Sequence, residues 1–280
     1  MPEGHTLFAL ARDLDSAFAG TSPRVTSPQG RFAAGAALLD GRTFRHATSW
    51  GKHLFVEFDE DAWLHVHLGL IGKFMITRFA ESREGYAGDH PVVGQVRLRL
   101  ATPGHVADLR GPNLCAVITP DQVESVTARL GPDPLRPEPD PGVAWRRISR
   151  SGKTIAELLM DQSVLAGVGN VYRCEVLFRQ RVDPFRPGRE IRRSTWDAIW
   201  LDLVHLLPLG VATGKIVTVA EQVEQVEADV ARGEVDRLEE RTSYVYRRTG
   251  EPCRVCGSRI RTRVVAGRNL YWCGRCQRRR

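Results

Sequence analysis

Gly131-Pro132-Asp133-Pro134-Leu135-Arg136-Pro137-Glu138-Pro139-Asp140-Pro141 divides the chain. Five prolines in eleven residues remove the backbone donors that a helix interior or a central strand needs, so the stretch reads as a domain linker. The hydrophobic patterns on its two sides differ. Before it, residues 24–118 fall into short β-like runs, the clearest at 53–58, 63–68, 74–79 and 96–100. In the last, Val96, Leu98 and Leu100 alternate with Arg97 and Arg99, as in a strand with one buried and one solvated face. An amphipathic helix leads these runs over residues 3–19, with Leu7, Leu10, Ala11, Leu14, Ala17 and Phe18 at spacings of three and four. Thr119-Pro120-Asp121 opens a second helix, running to about Leu130. Beyond the linker the pattern is helical: 153–160, 171–180, 195–207 and 219–232, with the turn Ala166-Gly167-Val168-Gly169-Asn170 between the first two. The expected architecture is α+β. An N-terminal β-sandwich carries the leading helix, and a helical domain and a small terminal module follow. The boundaries fall at 1–131, 132–240 and 241–280.

Charge separates the last part from the rest. The 280 residues carry a net +7. Residues 241–280 hold twelve arginines, no lysine and one acid, Glu251, which gives this segment +11 and leaves −4 for residues 1–240. Cations this dense repel one another unless a polyanion meets them, so nucleic acid is the expected partner. The preference for arginine agrees, because its planar fork binds phosphate bidentately. No apolar stretch is long enough to span a bilayer, and no basic region followed by an apolar run opens the chain. A cytosolic protein without membrane contact is expected, associated with the nucleoid through DNA and acting as a monomer.

Within the basic segment, Cys253-x2-Cys256 and Cys273-x2-Cys276 are two close pairs separated by 16 residues. Each pair presents two thiolates from one tight turn, and two such turns close a tetrahedral Zn²⁺ site with no open position. Two β-like runs, 260–265 and 269–272, flank Ala266-Gly267 and read as a hairpin on that metal. One structural zinc is expected, since disulfides are disfavoured in a reducing compartment. Cys115 and Cys174 lack such partners and read as ordinary buried residues.

Three separated motifs now agree: Pro2-Glu3-Gly4 opening a helix, Met160-Asp161-Gln162 with Gly167-Val168-Gly169-Asn170-Val171-Tyr172, and Gly250-Glu251-Pro252-Cys253 with Tyr271-Trp272-Cys273 and Cys276-Gln277. In this order they resemble the formamidopyrimidine-DNA glycosylase/endonuclease VIII family, nearer its endonuclease VIII branch. The resemblance implies a β-sandwich, a helix-two-turn-helix domain and a zinc finger, with DNA holding damaged bases or abasic sites bound between them. It implies a base-excision-repair enzyme, both DNA glycosylase and abasic-site lyase, that forms a Schiff base on an N-terminal proline and cleaves the strand by β/δ-elimination.

Residue by residue, the resemblance assigns four catalytic positions. Pro2 is the nucleophile once Met1 is removed, and Glu3 beside it transfers a proton to the sugar ring oxygen. Lys52, in Trp50-Gly51-Lys52-His53-Leu54, donates protons and meets phosphate. Arg268, in the hairpin, grips the phosphate beside the lesion and helps the second elimination. Three positions are assigned to DNA binding. Asn170 clamps DNA at the Gly-Val-Gly-Asn turn. Arg129, just before Gly131-Pro132-Asp133, matches a DNA-contacting arginine of endonuclease VIII relatives. Leu70, in His67-Leu68-Gly69-Leu70-Ile71-Gly72, fills the gap left by the flipped nucleotide. The sequence departs from both branches in this loop, where it has Gly69 and Ile71. It departs again at Asp108-Leu109-Arg110-Gly111-Pro112-Asn113-Leu114, which lacks the phenylalanine of the formamidopyrimidine branch. The stretch 215–240 is acidic and helix-like where oxidised-purine members have a Gly- and Thr-rich loop, which favours oxidised pyrimidines. A non-catalytic protein of the same fold that holds damaged or single-stranded DNA is the alternative.

Overall fold

The computed structural model describes residues 2–79, 90–235 and 242–278. The chain forms two compact units, Met1–Arg129 and Leu130–Arg280. Among the described residues no helix is long and apolar enough to cross a membrane.

The first unit is a two-layer sandwich. Helix α1 (Gly4–Phe18) is followed by β1 (Arg24–Thr26), α2 (Ala33–Leu39) and β2–β8: Phe44–Trp50, His53–Phe58, Trp63–His67, Lys73–Arg78, Val96–Ala101, His105–Arg110 and Leu114–Ile118. One sheet has the order β1-β6-β7-β5 and the other β2-β3-β4-β8, all pairs antiparallel. The apolar stripe of α1 (Leu7, Leu10, Leu14 and Phe18) joins the core with Leu54, Val56, Leu64 and Val66 from one sheet and Leu98, Leu100 and Leu109 from the other. Helix α3 (Pro120–Thr127) closes the unit. A capping box holds its start: the Thr119 hydroxyl accepts from the Gln122 amide, and the Gln122 side chain accepts from the Thr119 amide.

Two features of this unit differ from the sequence pattern. The β-like stretch 24–118 contains α2, a short alanine-rich helix. The alternation in β6 also fails, since Arg99 is buried. The segment 90–93 runs beside the face that carries Arg99, its His90 and Val93 carbonyls accepting from Arg99 and Arg110. Arg99 there makes a bidentate pair with buried Asp108, at 2.8 and 2.9 Å, and donates to the His90 carbonyl. Asp108 also holds Arg110, at 2.8 Å.

The second unit is helical with a terminal hairpin: α4 (Pro141–Ile148), α5 (Ile155–Leu158), α6 (Asn170–Arg179), α7 (Arg193–Thr213) and α8 (Ala220–Arg232), then β9 (Ile260–Val265) and β10 (Arg268–Cys273). Its proline-rich opening is packed. The Gly131 amide donates to the Gln162 carbonyl, and Ala166 donates to Pro132. Only glycine fits at 131, because a Cβ would lie 2.3 Å from the Val164 carbonyl oxygen. The end of the proline stretch starts α4, with Asp140 as the cap and Pro141 in the first turn. The helix expected at 153–160 shrinks to the one turn of α5, held by a Thr154–Glu157 capping box. Helix α7 runs through Pro208 to Thr213 instead of ending at Leu207. Pro208 and Val204 are exposed, so the carbonyl that loses its donor can meet water. Leu206, Leu207, Leu209 and Gly210 hold the buried face together.

Asp108→Asn leaves the shape of the Arg99 site and removes its counter-charge. Breaking one partner of a buried pair costs about 3–5 kcal/mol. We expect a loss of that order for the first unit in urea unfolding, and a much smaller loss for Asp13→Asn, whose Arg12 partner is exposed.

Candidate functional site

In the first unit the candidate chemistry sits at the start of α1 and at one hairpin. Glu3 caps α1 with extended backbone and is fully buried, and Pro2 before it is half-buried. The Thr6 amide donates to the Glu3 carbonyl. A carboxylate here faces the positive end of the helix dipole. Helix α1 packs on β2 and β3. The two-residue turn between those strands, closed by the Trp50–His53 pair, is Gly51-Lys52. Gly51 has φ 58, a backbone that glycine adopts without strain, so Lys52 is presented at the tip.

Three histidines adjoin this turn. His53 Nδ1 lies 2.8 Å from His65 Nε2, and the His53 and His67 rings meet edge to face with centroids 5.2 Å apart. Burial, then the charges of His65, His67 and Lys52, push His53 down to about 4. Burial and then His67 push His65 down to about 4, and burial and then Lys52 lower His67. Near neutral pH the rings are uncharged.

At another edge of the unit, the loop after β4 exposes Leu70 and Ile71, the latter 79% exposed. Leu68 points inward. Gly72 donates to the Leu68 carbonyl, and a Cβ on it would lie 2.2 Å from that oxygen, so the turn requires glycine. Ile71, not singled out from the sequence, is the more exposed of the pair. The loop after β7 passes beside it, and a Cβ added at Gly111 would lie 3.8 Å from the Ile71 side chain. Arg110 at the end of β7 is held by Asp108 and the Val93 carbonyl. Arg129 is exposed after α3.

In the second unit, the turn before α6 and the hairpin β9–β10 form one assembly. Gln162 braces the turn: its amide donates to the Val168 carbonyl, and its Oε1 accepts from Gly167, which has φ 86. Gly169 caps α6, so Asn170 is the first helical residue. The buried Asn170 side chain donates to the Asn269 carbonyl at 2.9 Å and accepts from Arg173. Arg173, fully buried, also donates to the carbonyls of Ala156 and Val265. Asn170 is thereby placed beside Arg268, the neighbour of Asn269. Arg268 follows the tight turn Ala266-Gly267, both with positive φ. The sequence did not disclose Arg173, because an arginine on a helix normally reads as solvated.

The four cysteines converge at the other end of the hairpin. Their sulfurs all lie within 4.8 Å of one another, with Cys253–Cys276 at 3.9 Å and Cys256–Cys273 at 3.4 Å. Tetrahedral Zn–S bonds of about 2.3 Å put sulfurs about 3.8 Å apart, so this donor set suits one structural zinc. Gln277 fastens the site to the helices, accepting from the Cys273 amide and donating to the Val182 carbonyl. Cys174 is more than a packing residue, since its sulfur accepts from the Tyr271 amide of β10. Cys115 is half-buried, and burial pushes its thiol up to about 12, which leaves it inert.

Two outcomes follow. Unfolded histidines take up protons below about pH 6.5, while folded His53 and His65 refuse them until about 4. Their stabilisation is therefore present above about pH 6.5 and is lost as pH falls toward 4. The melting temperature should fall more steeply across that window for the wild type than for His53→Phe/His65→Phe. Metal analysis should find one zinc per chain. Cys273→Ser should lose it, while the first unit keeps its melting transition.

Residues 1–113 match the model of the formamidopyrimidine-DNA glycosylase N-terminal domain, 130–222 that of the H2TH domain, and 250–279 that of the zinc finger found in FPG and IleRS. Endonuclease 8 1 of Mycobacterium tuberculosis is 50% identical over 278 residues, covering 99% of this chain and 100% of the relative. The formamidopyrimidine-DNA glycosylase of Geobacillus kaustophilus is 31% identical over 87% of this chain and 84% of its own length. Among solved structures, Lactococcus lactis Fpg in complex with abasic-site DNA superposes with TM-score 0.79 at 22% identity, covering 99% of this chain and 100% of that one. Thermus thermophilus MutM (Fpg) does so with TM-score 0.75 at 28% identity, covering 99% and 98%. With its sandwich, H2TH and zinc-hairpin parts each matched in order, and half its residues shared with a full-length relative, the chain belongs to the formamidopyrimidine-DNA glycosylase/endonuclease 8 family.

Proposed function

We propose that the chain is a base-excision-repair enzyme, a DNA glycosylase and abasic-site lyase that removes oxidised bases, pyrimidines by preference. The observation that carries this is the 50% identity to an endonuclease 8 over 99% of the chain, in a sequence that has Pro2, Glu3, Lys52, Asn170 and Arg268 at the positions its motifs assign. The pyrimidine preference is supported by α8, an acidic helix in the stretch where a Gly- and Thr-rich loop would suit a flipped purine. Residues 236–240 of that stretch lie outside those described. The working parts are residues 1–131 for catalysis, 132–240 for the helical clamp and 241–280 for the zinc finger. The enzyme acts as a monomer on DNA in the bacterial cytosol.

Removal of Met1 makes the Pro2 nitrogen a secondary amine. An α-amino group titrates at about 7.7–8.0, so part of it is a free nucleophile at neutral pH, and the α1 N-terminus disfavours its charged form further. Its lone pair forms a bond to C1′ of the flipped nucleotide, and the glycosidic bond breaks with its electrons leaving on the base, which takes up a proton from Lys52. Glu3 protonates the ring oxygen, the C1′–O bond opens, and the nitrogen sheds its proton to give an iminium. The iminium acidifies C2′. Loss of a C2′ proton expels the 3′ phosphate, which Lys52 contacts and assists as it leaves, a second elimination expels the 5′ phosphate held by Arg268, and water then releases Pro2. Leu70 fills the vacated stack, and Asn170 and Arg129 hold the backbone.

Borohydride reduction should trap a covalent adduct on duplexes holding an abasic site or an oxidised pyrimidine. Glu3→Gln should still trap on a preformed abasic site, where the base has already left. On the intact lesion it should lose about 10²–10⁴-fold, the usual worth of a positioned acid. Absence of an adduct on every lesion would overturn the enzymatic reading in favour of a non-catalytic DNA-binding protein.

A further inference from the structure

The register of β3 and β4 sets Phe55 opposite His65 and Leu54 opposite Val66, which brings His53 beside His67. Leu54, Val56, Leu64 and Val66 fill the sandwich core from one face of this sheet. His53, Phe55, His65 and His67 occupy the other face. The Phe55 and His65 rings stack at 4.7 Å, and the His53 and Phe55 rings lie nearly parallel, 12° apart. His53 and His65 share one proton across 2.8 Å. His67 Nδ1 accepts the amide of Gly69 at 3.2 Å, which places the proton of the neutral ring on Nε2. One end of this row is thus His53, adjoining the Lys52 turn. The other is His67, bound to the loop that exposes Leu70 and Ile71.

On this face, where Phe55 and His65 are buried and His53 and His67 half-buried, apolar side chains would cost less desolvation than three imidazoles. Imidazoles supply directional contacts that apolar groups lack. The rings are rigid and in mutual contact, so a shift of Gly69 is passed to His67 and from its edge to His53. We propose that His53, His65 and His67 are positioning residues that couple the Leu70–Ile71 loop to Lys52, so that seating the loop in the DNA stack sets the lysine for elimination. This rests on the roles proposed above for Lys52 and Leu70. It gives the enzyme a way to hold the elimination back until the gap in the duplex is filled.

The test is a double-mutant cycle on strand cleavage of an abasic duplex, under single turnover with enzyme saturating. Leu70→Ala and His67→Phe should each slow cleavage on the order of tenfold, about 1.4 kcal/mol of barrier. The double variant should be no slower than the slower single. His67→Asn, whose Oδ1 can accept from Gly69 but which has no ring edge to offer His53, should slow cleavage as His67→Phe does. His53→Phe, which keeps the stack and loses the shared proton, should reproduce the cycle independently. DNA affinity and zinc content of the histidine variants should match the wild type, and each variant should be fully folded at the neutral pH and temperature of the assay. Multiplicative effects in both cycles, or histidine variants that slow nothing, would overturn the coupling while wild-type trapping leaves the enzymatic reading standing. A wild type that forms no adduct overturns both.

Discussion

A helix buried on every side must find a partner for each polar side chain it carries, and α6 sets this condition for the whole second unit. Asn170 through Phe178 are all buried. An unsatisfied polar group there would cost a few kcal/mol. Asn170 reaches the Asn269 carbonyl, Arg173 the carbonyls of Ala156 and Val265, and Cys174 the Tyr271 amide. Glu175 accepts from the Thr218 hydroxyl and from the amides of Tyr244, Val245 and Tyr246. These partners lie on α5, just before α8, on the approach to the zinc finger and on the hairpin. Satisfying one helix therefore fixes α5, the approach to the zinc finger and the hairpin itself.

The zinc site completes this arrangement from the other side. A hairpin of two short strands is marginal in water, and four thiolates on one metal supply the missing stability. Gln277 ties the second knuckle to the Val182 carbonyl, so the metal end is anchored as well as the turn end. Arg268, proposed above to grip phosphate, is consequently carried on a braced strand, which would hold it in one position.

The first unit solves a different problem with the same economy. Its core is conventional, and the residues proposed for its chemistry sit where elements begin or turn: Glu3 at a helix start, Lys52 at a two-residue hairpin, Leu70 and Ile71 in a loop closed by glycines. Most of this was readable in advance. Pro2-Glu3-Gly4, Gly51-Lys52 and the two cysteine pairs are local signals, since each depends on residues close in sequence. Asp140-Pro141 carried the same helix-start signal as Thr119-Pro120 and was obscured by the prolines before it. Arg99, Arg173 and the histidine row were not legible as they stand, because charge and polarity normally mark the solvent side.

By itself the sequence determined most of the elements and the four metal-ligating cysteines, and it named the residues proposed to cut DNA. Periodicity, capping and ligand spacing act over a few residues, and so they survive in a linear string. Tertiary structure decided which polar groups were taken out of water and what they then had to bind. It buried Arg99 against Asp108, carried α7 through Pro208, and turned His53, His65 and His67 into one contiguous row. Those outcomes depend on partners distant in the chain, and burial makes the partner obligatory: a desolvated donor or acceptor must be paired, and only the fold specifies with what.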